Sequence, residues 1–147
     1  MSTVLQFHRL HVASRAPTYG TDGAACFDLY AADQAVVHSE GAATLVRTGL
    51  AVAIPEGMCM LIFPRSGLAA RFSVRLANCV AVIDSDYRGE VMVPLTCDAE
   101  SETGYFVAPG DRIAQGMLVP VERIVFDEVD TLPSTKRGAG GFGSTGS

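Results

Sequence analysis

Residues 50–63 read LAVAIPEGMCMLIF. Two short apolar runs are split by Pro55-Glu56-Gly57, where proline fixes φ and glycine tolerates any turn geometry. Runs this short, rich in apolar residues and bounded by breakers, read as β-strands. The same pattern recurs at 79–83, 91–95, 112–119 and 124–129, punctuated by 86–89 and by Pro109-Gly110-Asp111. No window keeps a helical period over three turns, and 67–72 has room for at most a short helix. The expected class is all-β: a sandwich, jelly roll or barrel. No internal repeat is present. The one boundary falls near Pro133-Ser134, where apolar periodicity stops.

Composition narrows the function. The 147 residues allow one domain with a real core, and 48% of them are hydrophobic. A net charge of −5 argues against binding a nucleic-acid backbone. No run is long and apolar enough to span a membrane, and residues 1–10 lack the apolar stretch of a signal peptide. Cys26, Cys59, Cys79 and Cys97 are widely spaced, with mostly apolar neighbours. They read as buried free thiols in a reducing cytoplasm. His8, His11 and His38 form no recognisable metal pattern.

The chain end is different. Residues 137–147 read RGAGGFGSTGS, too rich in glycine for a packed strand or helix. The alternatives are a flexible linker and a nucleotide-binding arm. In the second, glycine amides cradle phosphate, Arg137 adds a forked cation, and Ser144 and Thr145 add hydroxyls. Phe142 offers a stacking face. Gly138 to Gly143 has P-loop spacing, but Ser144 stands where lysine is needed and no helix can follow. Any phosphate role is therefore that of an arm closing on a site built elsewhere.

Four internal segments carry polar groups that a β core does not need. In AACFDLYAA (24–32), Phe27, Leu29 and Ala31 share one face and Asp28 the other, as a solvated residue or part of a polar site. In PRSGLA (64–69), the amides of Ser66 and Gly67 can converge on an anion beside Arg65. CVAVIDSDYRGEVMVPL (79–95) reads as a hairpin whose tip holds Asp84, a candidate general base, and Tyr87, a candidate stacking ring. GDRIAQG (110–116) offers the amide of Gln115.

Together and in this order these segments and the tail resemble the five motifs of the trimeric dUTPases, over about 24–146. The resemblance implies a jelly-roll-like β-barrel (1–133) with a mobile glycine-rich arm (134–147). It implies a homotrimer with shared sites that hydrolyses dUTP to dUMP and pyrophosphate, with Mg2+ on the triphosphate. Asp84 then activates water, and Tyr87 packs on the deoxyribose. Asn78, Val82, Ile83 and Met92 line the uracil pocket. Arg65, Ser66, Gly67 and Gln115 hold phosphates. From the arm, Arg137 reaches the terminal phosphate, Phe142 stacks on uracil, and Gly143, Ser144 and Thr145 contact phosphate. Asp28 reaches Mg2+ through water at best.

The chain departs from the family pattern at Cys26, Ser73 and Ala81, where glycine is usual, and at Gly116, where a larger apolar residue is usual. Ala81 sets a methyl near the expected base pocket. Two other classes share such a barrel: a dCTP deaminase, for which a glutamate base is expected in place of the Asp84–Tyr87 pair, and a non-enzymatic nucleotide sensor or protein-binding module.

Overall fold

The computed structural model describes residues 3–39, 42–98 and 104–141. Its strands are β1 Gln6–Arg9, β2 Thr18–Tyr19, β3 Phe27–Tyr30, β4 Ala35–Val37, β5 Thr44–Ala53 and β6 Met58–Phe63. After helix α1 Ser66–Phe72 come β7 Val74–Leu76, β8 Ala81–Ile83, β9 Glu90–Cys97, β10 Tyr105–Val107 and β11 Arg112–Pro120. One sheet runs β1-β5-β9-β7, a second β2-β3-β11-β6-β8, and β10 pairs with β4. A single buried cluster takes Leu29, Met60, Ile62 and Ile113 from one sheet and Val46, Val74, Val93 and Leu95 from the other. Alternation supplies it: along β9, Val91, Val93 and Leu95 are buried and Met92 is exposed.

The expected strands at 58–63 and 112–119 stand nearly as read, and the short helix is α1. Its end accounts for one departure from the family pattern. Ser73 caps α1 with a left-handed φ of 55° and donates its amide to the Ala69 carbonyl at 3.0 Å. Glycine reaches that conformation freely; serine accepts a cost of about 1 kcal/mol.

Two expectations fail. Residues 79–95 are not a hairpin: β8 pairs with β6, whereas β9 lies between β5 and β7 in the other sheet. The polar loop between them therefore crosses from sheet to sheet. Residues 124–129 form no strand, and Val125 and Phe126 are 94% and 88% exposed. An apolar run becomes a strand only beside a free edge, and none within the described chain receives this one. The cysteines divide too: Cys59 and Cys97 are buried, Cys26 half-buried and Cys79 exposed at φ 61°.

Gly116 has a packing reason. It pairs with Phe27 across β11 and β3, and a Cβ there would lie 2.7 Å from the Phe27 ring. Gly116→Met is expected to overpack this contact and cost about 1–3 kcal/mol. The measurement is a lower urea midpoint at unchanged slope, partly restored by Phe27→Leu.

Candidate active site

The first polar cluster grows from the middle of the five-stranded sheet. Thr18, Asp28, Gln115 and Phe63 form one row across β2, β3, β11 and β6. Where β6 ends, Pro64 breaks the ladder and the chain turns into α1. Gln115 Nε2 donates to the Pro64 carbonyl at 3.0 Å, tying the turn to β11. Arg65 precedes the helix with extended backbone (φ −93°, ψ 129°), so the first amides, those of Ser66 and Gly67, have no intrahelical acceptor. The Arg65 side chain is anchored to the sheet. Its Nε donates to Asp28 Oδ1 at 3.0 Å and its Nη1 to the Arg112 carbonyl at 3.3 Å. Two open amides, one fixed guanidinium and one carboxamide make a receptor for a multiply charged phosphate.

Asp28 is no solvated residue. It is 9% exposed, and both its oxygens are engaged, Oδ1 by Arg65 and Oδ2 by Arg112 Nη1 at 3.3 Å. Two guanidiniums on one buried carboxylate offset its desolvation and hold Arg65 in place. Nearby, burial pushes the Tyr105 phenol above its ordinary range; Asp111 adds to this and Arg65 opposes it.

Gly67 tests the phosphate reading cleanly. A Cβ there would meet nothing within 4 Å, so the chain itself does not require glycine. Gly67→Ala is expected to leave the protein as stable or more so, by up to about 1 kcal/mol. KM for the phosphate substrate should rise several-fold, because the methyl blocks close approach to the amides.

The second cluster surrounds the inter-sheet loop. Asp84 follows β8 and is exposed; among the described residues no group bonds its carboxylate. Its carbonyl accepts the Tyr87 amide at 3.2 Å, closing a tight turn. The Tyr87 hydroxyl donates to the Glu90 carbonyl at 3.0 Å. Val82 faces outward, 58% exposed, while Ala81 and Ile83 turn toward the core. The Ala81 methyl therefore points to the core, away from the face that Val82 presents. Asn78 lies in the exposed turn between β7 and β8, next to β9, where Ala77 donates its amide to the Pro94 carbonyl at 2.8 Å. Met92 is exposed on that strand.

The two clusters lie apart in one chain. Ile83 pairs with Met60, which brings Asp84 level with Cys59, whereas Arg65 lies beyond Phe63 at the other end of β6. Cys59 to Phe63 alone spans about 13 Å at ~3.3 Å per residue. The described part of the arm, residues 134–141, joins neither. Beyond Val121, whose amide bonds the Gly57 carbonyl at 2.8 Å, residues 122–141 contribute to no strand. Arg137 Nε donates to the Gly140 carbonyl at 2.8 Å. Phe142, Gly143, Ser144 and Thr145 lie outside the described residues.

Sequence reasoning missed two supports. One is Arg112. A β-bulge between Arg112 and Ala114 sets Arg112 opposite Tyr30 instead of Ala31. That one-residue slip brings its side chain to the Asp28 face. The other is Glu90, which accepts the Gly49 amide at 2.8 Å and Arg47 Nε at 3.0 Å. Gly49 (φ +64°) lies where the β5–β9 register shifts, and a Cβ there would overlap Ser14 Oγ. The sequence contained both residues but no sign of their partners.

No group of three or more His, Cys, Asp or Glu side chains among the described residues could cage a metal. Asp28, with both oxygens on arginines, has neither left to coordinate a cation directly. That donor set fits an ion brought in on phosphates and keeping most of its waters, as Mg2+ does.

The described chain is an antiparallel β protein with two larger sheets and one β10–β4 pair, with an anion-competent turn at one end of β6 and an unpaired carboxylate beside a tyrosine at the other, the kind of arrangement that a β-fold nucleotide-binding protein would present. Comparison with known proteins gives the family. The dUTPase family model matches residues 13–146. The deoxyuridine 5'-triphosphate nucleotidohydrolase of Anaplasma marginale is 45% identical over 131 residues, 88% of each chain. That of Syntrophotalea carbinolica is 43% identical over 148 residues, 99% of each. Among solved structures, the dUTPase of Staphylococcus bacteriophage 80alpha with dUPNHPP superposes with a TM-score of 0.89 at 25% identity, covering 99% of this chain and 100% of the other. The chain belongs to the dUTPase family.

Proposed function

We propose that the protein hydrolyses dUTP to dUMP and pyrophosphate. The observation that carries this reading is the pairing of a free carboxylate, Asp84, with Tyr87 on one loop, in a chain that also builds the Arg65–Gln115 phosphate turn. Relatives at 43–45% identity bear the name deoxyuridine 5'-triphosphate nucleotidohydrolase, and the phage 80alpha enzyme holds a dUTP analogue. Release of pyrophosphate means that the bond between the α- and β-phosphates breaks. Asp84 orients a water toward the α-phosphorus and takes its proton. Ser66 and Gly67 amides, Arg65 and Gln115 neutralise the phosphates. Tyr87 packs on the deoxyribose, and Asn78, Val82, Ile83 and Met92 surround uracil. Mg2+ on the triphosphate would lower its charge, and Asp28 would meet it only through water.

A group acting at the α-phosphorus and one gripping the same triphosphate must stand closer than the ends of β6. Their separation within one chain supports a homotrimer in which the Asp84 loop of one copy meets the Arg65 turn of another. The exposed apolar side chains of Ile124, Val125, Phe126 and Leu132 support the same reading, since a neighbouring copy would cover them. In this assembly the two sheets form a jelly-roll-like barrel over 1–133. The arm, 134–147, closes on the site with Arg137 on the terminal phosphate, Phe142 on uracil, and Gly143, Ser144 and Thr145 on phosphate. No helix among the described residues is long and apolar enough to cross a membrane, and we place the enzyme in the cytoplasm. There it keeps uracil out of DNA and supplies dUMP for thymidylate synthesis.

One assay tests the activity: purified protein with dUTP, dCTP, dTTP and UTP, scored for pyrophosphate and for ammonia. Pyrophosphate from dUTP with no ammonia is expected. Ammonia from dCTP would make it a deaminase, and no product from any of them would leave a binding module.

A further inference from the structure

The loop that carries Tyr87 also fixes where its ring lies. The ring folds back over Gly89: a Cβ built there would collide with Oη and would lie 2.6 Å from Cζ and 3.0 Å from Cε2. Beyond the glycine, the hydroxyl is tied to the Glu90 carbonyl at 3.0 Å. Glu90 is itself anchored, its carboxylate holding the Gly49 amide at 2.8 Å. On the other side, Arg88 Nη1 donates to the Ser85 and Tyr87 carbonyls at 2.7 and 2.8 Å. The loop backbone is thus braced at both ends, and the ring is held between Gly89 and the Glu90 carbonyl.

We propose that Gly89 is a specificity-determining residue: its bare Cα is the floor on which the Tyr87 ring rests, and this rest position sets the room left for the 2′ carbon of the sugar. The inference deepens the dUTP reading and rests on it. A ring held against Gly89 by its phenolic end presents one fixed edge to the sugar. A methyl at 89 lifts that ring, detaches its hydroxyl from Glu90 and lets the edge wander. The deoxyribose loses a packing partner, and a ribose loses the obstacle that excludes it. Alanine imposes no backbone strain, because the φ of Gly89 lies outside the left-handed range that Gly49 and Gly57 occupy. The substitution therefore acts on the ring and leaves the fold alone.

The test is a double-mutant cycle on kcat/KM for dUTP and for UTP: wild type, Gly89→Ala, Tyr87→Ala and the pair. Gly89→Ala is expected to melt like wild type and to narrow the dUTP-to-UTP ratio by about tenfold. In the Tyr87→Ala background it should change that ratio by less than about twofold, since no ring remains to lift. An unaltered ratio in a folded Gly89→Ala protein overturns the proposal. So does an effect that persists undiminished without the Tyr87 ring, which would place it in the loop backbone. If Gly89→Ala melts low, Tyr87→Phe probes the second tether. It keeps the ring on Gly89 but frees it from Glu90, and it should narrow the ratio in part; no change would count against the proposal. A wild type that hydrolyses UTP as readily as dUTP sinks the dUTP reading itself, whereas a discriminating wild type with an indifferent Gly89→Ala sinks this inference alone.

Discussion

Asn in place of Asp84 is expected to slow dUTP hydrolysis by roughly 10²–10⁴-fold, the range for losing a general base. The change preserves size and shape but removes the ability to take a proton from water. The Asp84 side chain is exposed and makes no bond among the described residues, so nothing in the fold depends on it. Thermal stability should match wild type, and a non-hydrolysable dUTP analogue should bind with little change. Turnover within a few-fold of wild type would show that the carboxylate is wrongly assigned.

Activity should return when two inactive chains are mixed. Arg65→Ala removes the guanidinium of the phosphate turn; Asp84→Asn removes the base at the other end of β6. If each site takes its loop from one copy and its turn from another, a site works when its loop donor carries Arg65→Ala and its turn donor carries Asp84→Asn. In randomly assembled closed trimers from equal amounts these are independent halves, and about a quarter of sites are intact. Each variant refolded alone should stay near background. The measurement is pyrophosphate release after co-refolding, with mixed trimers verified by differently tagged chains. Background activity from verified mixed trimers would place both groups in one chain's site and overturn the shared-site reading.

The residues of the candidate site were legible well before their geometry. Arg65, Ser66, Gly67, Asp84, Tyr87 and Gln115 stood out because apolar strands have no use for them, and the glycines and prolines around them marked turns. The all-β class was equally legible, since short apolar runs between breakers have few other ways to bury themselves. Less legible was the partner of each run. Residues 79–83 and 91–95 are separated by a short polar loop, which reads as a hairpin, yet they lie in different sheets. Residues 124–129 have the composition of a strand and pair with none among the described residues.

What the sequence determined by itself was local: which stretches are extended, where the chain turns, and which side chains have chemistry to offer. These depend on the steric and polar character of residues near one another along the chain. Tertiary structure alone decided which distant residues meet. It decided between the two readings of Asp28, making it the buried anchor of Arg65 and Arg112, and a bulge in β11 that slipped one register brought the Arg112 side chain to its face. It set Asp84 and Arg65 at opposite ends of β6 and laid the Tyr87 ring on Gly89. The physical reason is that strand pairing is non-local. Side chains alternate with a period of two, so a single-residue change in register reverses every face, and no local propensity reports which register was chosen.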